Sequence, residues 1–270
     1  MELKHLDSKV YQQVRFLLFI SFGIISFFQL IFQPLKIPDD ALKLQSNFKL
    51  ILMGASGQGK TEWILSLLQH RSKAVIDDFK EVIYCIPNNC GHLPSVKRTI
   101  EKIKETCDNI TVTIYEGLLT NLEGVYRPND ETDHCLIVYD DMFTDIINSR
   151  AFSHFATFGS RHHNTSLIVT SQNIYETGRY ALTVRRQFSY YCIFYPAAEK
   201  SILITLGKNL FPTNPSCLIN CFNKLIPHTS NPYEQYILVD VDSKSKLPYG
   251  MRLRSNFFSS TPYFFITDEK

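Results

Sequence analysis

Residues 54–61 read Gly54-Ala55-Ser56-Gly57-Gln58-Gly59-Lys60-Thr61 and fit G-x-x-x-x-G-K-[ST] at every fixed position. The octet constrains the fold because its chemistry works only between a strand and a helix. Its glycines let the backbone curl until successive N–H groups point inward at the phosphates of a nucleotide. Lys60 can then reach the β- and γ-phosphates, and the Thr61 hydroxyl can ligate Mg²⁺. A helix starting at the loop adds its positive dipole end to the same anion site. The flanks agree. Phe48-Lys49-Leu50-Ile51-Leu52-Met53 is a short apolar run of strand type, and Trp63-Ile64-Leu65-Ser66-Leu67-Leu68 continues in helix formers. The expected cofactors are ATP and Mg²⁺, held by all eight loop residues and, for the metal, by Thr61.

The rest of the chain alternates in the way such a loop requires. Glu81–Ile86 is a strand closed by Pro87-Asn88-Asn89. Residues 93–107 carry Val96, Ile100 and Ile103 at helical spacing, and residues 111–115 are short and β-branched. Residues 124–132 hold Pro, Asn, Asp and Gly and read as a loop. Cys135–Tyr139 and Ser166–Val169 are continuously apolar, as strands covered on both faces should be. Between them, Phe143–Phe158 reads as the crossover helix. Repeated strand–helix–strand units imply an α/β fold with a mainly parallel central sheet flanked by helices. After residue 185 the pattern changes. Phe188–Phe194 reads as a strand and Ala197–Leu206 as a short helix. Tyr236–Val241 and Tyr249–Phe257 flank Ser243–Pro248 as a C-terminal β-hairpin.

Composition limits the partners. Of 270 residues, 44% are hydrophobic and 20% charged, which describes a globular chain, and a net charge of +2 provides no global basic field. Any contact with nucleic acid must therefore be local. The basic residues Lys97, Arg98, Lys102 and Lys104 share one predicted helix with Glu101 and Glu105, and read as a solvated face. The seven cysteines show no paired C-x-x-C spacing and read as reduced thiols, several of them buried. Cys217 and Cys221 lack two further ligands nearby for zinc.

A phosphate loop needs carboxylates. The strand Cys135–Tyr139 runs into Asp140-Asp141, about eighty residues after Lys60. Asp140 is the expected metal organiser, mostly through water. Asp141 is the expected general base for the attacking water, with a helix N-cap as its structural alternative. The strand Ser166–Val169 ends in Thr170-Ser171-Gln172-Asn173 at the edge where ligands gather, so Gln172 is the expected γ-phosphate sensor. An arginine finger from a neighbouring subunit would come from Arg161, Arg179, Arg185 or Arg186, and composition does not choose among them. His162 and His163 have no carboxylate or cysteine to complete a metal set.

Residues 1–36 stand apart from the ATPase domain expected over residues 37–270. Phe16–Phe32 is uncharged and largely apolar, with Lys4, Lys9 and Arg15 before it. Its 17 residues lie at the lower limit for a membrane span, and no A-x-A-like cleavage site follows. A membrane anchor, a docking helix and a gene-model extension are all open.

The order and spacing of several stretches resemble the genome-packaging ATPases of the FtsK–HerA superfamily, particularly those of Polinton/Maverick elements and related viruses such as poxviruses. They are the Gly54–Thr61 loop, Leu136-Ile137-Val138-Tyr139-Asp140-Asp141-Met142, Gly159-Ser160-Arg161-His162-His163-Asn164-Thr165-Ser166 and Thr170-Ser171-Gln172-Asn173-Ile174-Tyr175. The Glu116-Gly117-Leu118 step, residues 185–194 and Met251-Arg252-Leu253-Arg254-Ser255-Asn256 are similar too. The resemblance covers residues 45–258. It implies a RecA/FtsK-like P-loop fold and a Mg²⁺-dependent ATPase. Such an enzyme would assemble as a homo-oligomeric ring, a hexamer, and translocate double-stranded DNA into a capsid. It also implies an intracellular site of virion assembly or the nucleus, with membrane association through residues 16–32 as a further option. Asp140 and Asp141 take the catalytic pairing, with Asp at the second position where many relatives have Glu. Gln172 takes the sensor role, and Arg161, then Arg185, the finger. A conjugation or segregation pump and a nucleotide-gated membrane switch are the alternative functions.

Overall fold

The computed structural model describes residues 3–5, 38–106, 110–123, 125–126, 133–229, 231–259 and 262–265. Ten strands form one sheet in the order β1-β10-β9-β8-β7-β2-β6-β5-β3-β4. Six of them run parallel: β7 (Tyr190–Phe194), β2 (Lys49–Met53), β6 (Thr165–Ser171), β5 (Cys135–Tyr139), β3 (Glu81–Ile86) and β4 (Thr111–Glu116). Beyond β7 the sheet turns antiparallel through β8 (Tyr236–Asp240), β9 (Leu253–Ser255), β10 (Tyr263–Phe265) and β1 (Leu3–His5).

The continuous apolar runs follow from burial on both faces. On one face Leu50, Leu52, Val82, Tyr84, Leu136, Val138 and Ile168 meet Trp63, Ile64, Leu67 and Leu68 of α1 (Lys60–Gln69), which the short α2 (Arg71–Ala74) follows. On the other, Ile51, Ile83, Ile137, Leu167 and Val169 meet α4 (Phe143–Asn148), α8 (Ser201–Leu210) and α9 (Cys217–Leu225). Cys217 and Cys221 lie in that second core, and burial pushes the Cys85 thiol in the sheet up to about 12. Cys107 lies outside the described residues. Among the described residues no group of His, Cys, Asp or Glu could hold a metal through three or more such side chains.

Three expectations need correction. The segment Phe143–Phe158 is not one helix. After α4, Ser149 adopts an extended φ of −92° and its Oγ accepts from Phe152 N, starting α5 (Arg150–His154). A π-turn (Phe155–Gly159) and the short α6 (Ser160–His162) follow. The helix expected at Ala197 begins at Ser201. In the hairpin, Tyr249–Met251 forms a 3-10 turn, so β9 is shorter than expected, and β10 adds a further strand. Among the described residues no helix is long and apolar enough to cross a membrane. The apolar stretch 16–32, and every reading of it, lies outside them.

The topology directs attention to β2. Its two neighbours, β6 and β7, arrive later in the chain from opposite sides, which opens a crevice at the carboxyl ends of the strands. Met53, Ser171, Ile193 and Tyr139 all stand at that edge.

Candidate active site

The octet leaves β2 at this edge. Gly54 N donates to Ser171 O of β6 at 3.0 Å. Gly57 (φ 78°) and Gly59 (φ 102°) then take the left-handed conformations that only glycine adopts without strain, and Gly59 caps α1. Gln58 braces the curl: its Oε1 accepts from Ala55 N at 2.7 Å and its Nε2 donates to Tyr195 O at 2.7 Å. Lys60, only 8% exposed, donates from Nζ to Gly54 O (2.7 Å) and Ala55 O (3.1 Å). Its ammonium therefore stands inside the loop.

The opposite wall comes from β5. Asp140 follows Tyr139, and both its oxygens are engaged. Tyr84 Oη donates to Oδ2 at 2.6 Å and Thr170 Oγ1 donates to Oδ1 at 2.9 Å. Burial, the largest influence, raises the Asp140 carboxyl above its ordinary range. The bonds from Tyr84 and Thr170 oppose that, Asp141 adds to it, and Lys60 opposes it. Asp141 is a non-glycine residue at φ 52°, its N–H donating to Thr170 Oγ1 at 2.8 Å while its side chain is exposed. Its N-cap alternative is not what forms, because Met142 precedes α4 and makes no side-chain cap bond.

A cavity of about 250 Å³ joins the two walls, lined by Ser56, Gly57, Gly59, Lys60, Thr61, Glu62, Asp140, Asp141 and Tyr233. Burial lowers the Lys60 pKa, and the charges of Asp141 and Asp140 act against that shift. One small space thus combines the loop backbone, a buried cation, the hydroxyls of Ser56, Thr61 and Tyr233, and three carboxylates, of which Glu62 is paired with Lys102. That donor set fits a polyphosphate with a hard divalent cation: amides and Lys60 for the phosphates, Thr61 and Asp140 for the metal.

The other expected residues fall elsewhere. Gln172 is exposed at the end of β6 and lines an adjoining cavity of about 430 Å³, with Gly54, Ala55 and Gln58. It does not line the cavity that Lys60, Asp140 and Asp141 share. Arg161 is exposed on α6, before β6 begins, so it stands at the amino ends of the strands. Seven residues of β6 separate it from the crevice edge, roughly 20 Å. There burial brings Lys49 down to about 8, with the Arg161 charge adding to the effect. Arg185, the last residue of α7 (Ala181–Arg185), donates from Nη1 to Ile174 O at 3.2 Å and lies over the Tyr175 ring. Neither arginine lines the cavity of its own chain. On the basic helix α3 (Pro94–Thr106), Lys102 pairs with Glu62 at 2.7 Å, as a solvated face should.

Sequence reasoning missed Tyr84, Thr170 and Tyr233. Thr170 was visible as a hydroxyl at a strand end, but its partner depended on the β5–β6 register. The Tyr84–Asp140 bond yields a pH prediction. Asp140 must be ionised to hold a cation, and the tyrosine bond favours the ionised form. In Tyr84→Phe the carboxyl keeps its proton to higher pH. The acid limb of the ATPase pH–rate profile should therefore move upward, with the plateau above it little changed. An acid limb identical to that of the wild type would remove Tyr84 from the site.

Against known proteins, the family described as Poxvirus A32 protein matches residues 39–245. The vaccinia virus (strain Copenhagen) DNA packaging protein OPG160 is 24% identical over 215 residues, covering 73% of this chain and 71% of its own. The variola virus protein of the same name is 26% identical over 185 residues, covering 64% and 60%. Among solved structures, the genome packaging NTPase B204 of Sulfolobus turreted icosahedral virus 2, in complex with ATPγS, has a TM-score of 0.43 at 13% identity. It covers 73% of this chain and 94% of that one. With most of its length matched, this chain belongs to the poxvirus A32 protein family.

Proposed function

We propose that the chain is a Mg²⁺-dependent ATPase that drives double-stranded DNA into a capsid during genome packaging. The observation that carries the reading is Lys60 and the Asp140–Asp141 pair facing each other across one phosphate-sized cavity. Its relatives' name, DNA packaging protein, supports the DNA substrate. In this reading residues 37–270 are the ATPase unit, acting as a homo-oligomeric ring, a hexamer, at the site of virion assembly.

Each residue has a task. The loop amides and Lys60 bind and orient the triphosphate, so the ammonium exchanges the carbonyls of Gly54 and Ala55 for phosphate oxygens. Thr61 and Asp140 would hold Mg²⁺, Asp140 through water because Tyr84 and Thr170 already occupy its oxygens. When bound, the metal neutralises charge on the β- and γ-oxygens. Asp141 takes the proton of the attacking water, and its shorter reach than Glu is offset by the backbone turn that Thr170 holds. Gln172, beside Gly54 and Ala55, senses loop occupancy from the adjoining cavity. A neighbour's arginine completes the charge set. Arg185 is engaged by its own chain, so exposed Arg161 is the first choice.

The test is ATP turnover of the full chain with and without double-stranded DNA. Stimulation of several-fold is expected, independent of sequence and falling steeply with added salt, as phosphate contacts dictate. Turnover indifferent to DNA would sink the motor and leave a nucleotide-gated switch.

A further inference from the structure

The cavity between loop and carboxylates cannot hold a whole nucleotide. Its volume of about 250 Å³ lies below the range of roughly 300–1,000 Å³ that encloses ligands of that size. The base and ribose must therefore lie on something at its rim. One aromatic side chain among the described lining residues stands there, Tyr233, and the residue is 51% exposed. Nothing in the phosphate chemistry above uses it.

The direction of the nucleotide decides which rim the base meets. Lys60 reaches the β- and γ-phosphates, and the loop amides cradle the α- and β-phosphates from which the ribose and base extend. Tyr233 sits against that cradle, packed beside Gly59. A Cβ at residue 59 would stand 2.8 Å from Tyr233 Cδ1 and 3.2 Å from its Cβ. Gly59 is thus required twice, by its φ of 102° and by the ring beside it. The adjoining cavity, with Phe194 in its wall, is bordered by Gly54, Ala55 and Gln58 and shares no lining residue with the one that Tyr233 and Gly59 line.

The turn that carries the ring is also held in advance. Tyr233 belongs to a 3-10 turn (Pro232–Glu234) just before β8. Its N–H donates to Asn231 Oδ1 at 3.0 Å, and Asn231 Nδ2 donates to Glu234 Oε1 at 3.2 Å. Gln235 Nε2 donates to Thr229 O at 3.1 Å on the far side of the turn. With the backbone of the turn already ordered, only the rotation of the side chain is lost when a flat ligand settles on the ring.

From this geometry we infer that Tyr233 is the nucleobase platform of the site, stacking a purine or pyrimidine ring beside the loop that cradles the α- and β-phosphates. The assignment rests on the reading of residues 54–61 as an ATP site. Stacking is tolerant of base identity, because every base has a π-face. The chain should then accept GTP nearly as well as ATP.

The experiment compares ATP with inorganic tripolyphosphate, which carries the phosphates without the base, by calorimetric titration of wild type, Tyr233→Ala and Tyr233→Phe. Tyr233→Ala should weaken ATP about tenfold and leave tripolyphosphate within twofold. Tyr233→Phe should match wild type on both, since the ring and not the hydroxyl is needed. Equal weakening of both ligands by Tyr233→Ala would make the ring a mere support for Gly59 and overturn the proposal. Unchanged ATP affinity would overturn it as well. Wild type binding both ligands equally would also overturn it, with the phosphate site left standing, whereas wild type binding neither would remove the ATP site and the platform together.

Discussion

Replacing Lys60 with Ala is expected to lower ATP turnover by about a thousandfold, because it removes the cation that stands inside the loop. The ammonium of Lys60 is nearly enclosed and already directed at loop carbonyls, so it needs no reorganisation to meet a phosphate. The loss should appear in kcat and in nucleotide affinity together, since Lys60 meets the phosphates both before and during transfer. The variant should still fold. Burial disfavours the charged lysine, which shows in its lowered pKa, so Ala removes a desolvation cost along with two hydrogen bonds. A melting temperature within a few degrees of wild type, alongside lost turnover, separates chemistry from collapse. Lys60→Arg should not rescue, because a planar fork does not fit a site shaped for a compact ammonium. Wild-type-like turnover in Lys60→Ala would overturn the site.

What the sequence made legible was local chemistry. The octet, its flanking strand and helix, and Asp140-Asp141 at a strand end are all adjacent in the chain, so their spacing carries their roles. The parallel sheet was legible because runs such as Cys135–Tyr139 can only be strands covered on both faces. What stayed hidden depends on register between distant strands. Tyr84 meets Asp140 because Cys85 stands opposite Tyr139, and Thr170 meets both aspartates because Val169 does. Tyr233 reaches the loop only because β8 pairs antiparallel with β7 and its preceding turn folds over α1. Gln172 shows the limit from the other side. It stands at the expected strand end, yet it lines the cavity beside Gly54 and Ala55, while Thr170, two residues earlier on β6, is the one that meets the carboxylates. The broken crossover was hidden because Ser149 is unremarkable as a letter and decisive only once its hydroxyl caps Phe152.

Asp141 provides the sharper test of mechanism, and its backbone dictates the substitution. At φ 52° most side chains would be strained, but Asn tolerates the left-handed region as well as Asp does. The bond that fixes the turn runs from the backbone N–H of residue 141 to Thr170 Oγ1, so Asp141→Asn keeps it. Asp140 keeps its bonds to Tyr84 and Thr170, so the rest of the carboxylate wall stays in place. Only the charge and the proton-accepting oxygen are lost. Turnover should therefore fall by about a hundred- to ten-thousandfold, the span typical of a general base. ATP should bind as well as before or somewhat better, because one negative charge has left the γ-phosphate end. That split, kcat lost with affinity kept, differs from Lys60→Ala, where both fall. Asp141→Ala would mix in backbone strain and is the poorer probe. Asp141→Asn turning over within tenfold of wild type in a single-turnover assay would move the base elsewhere.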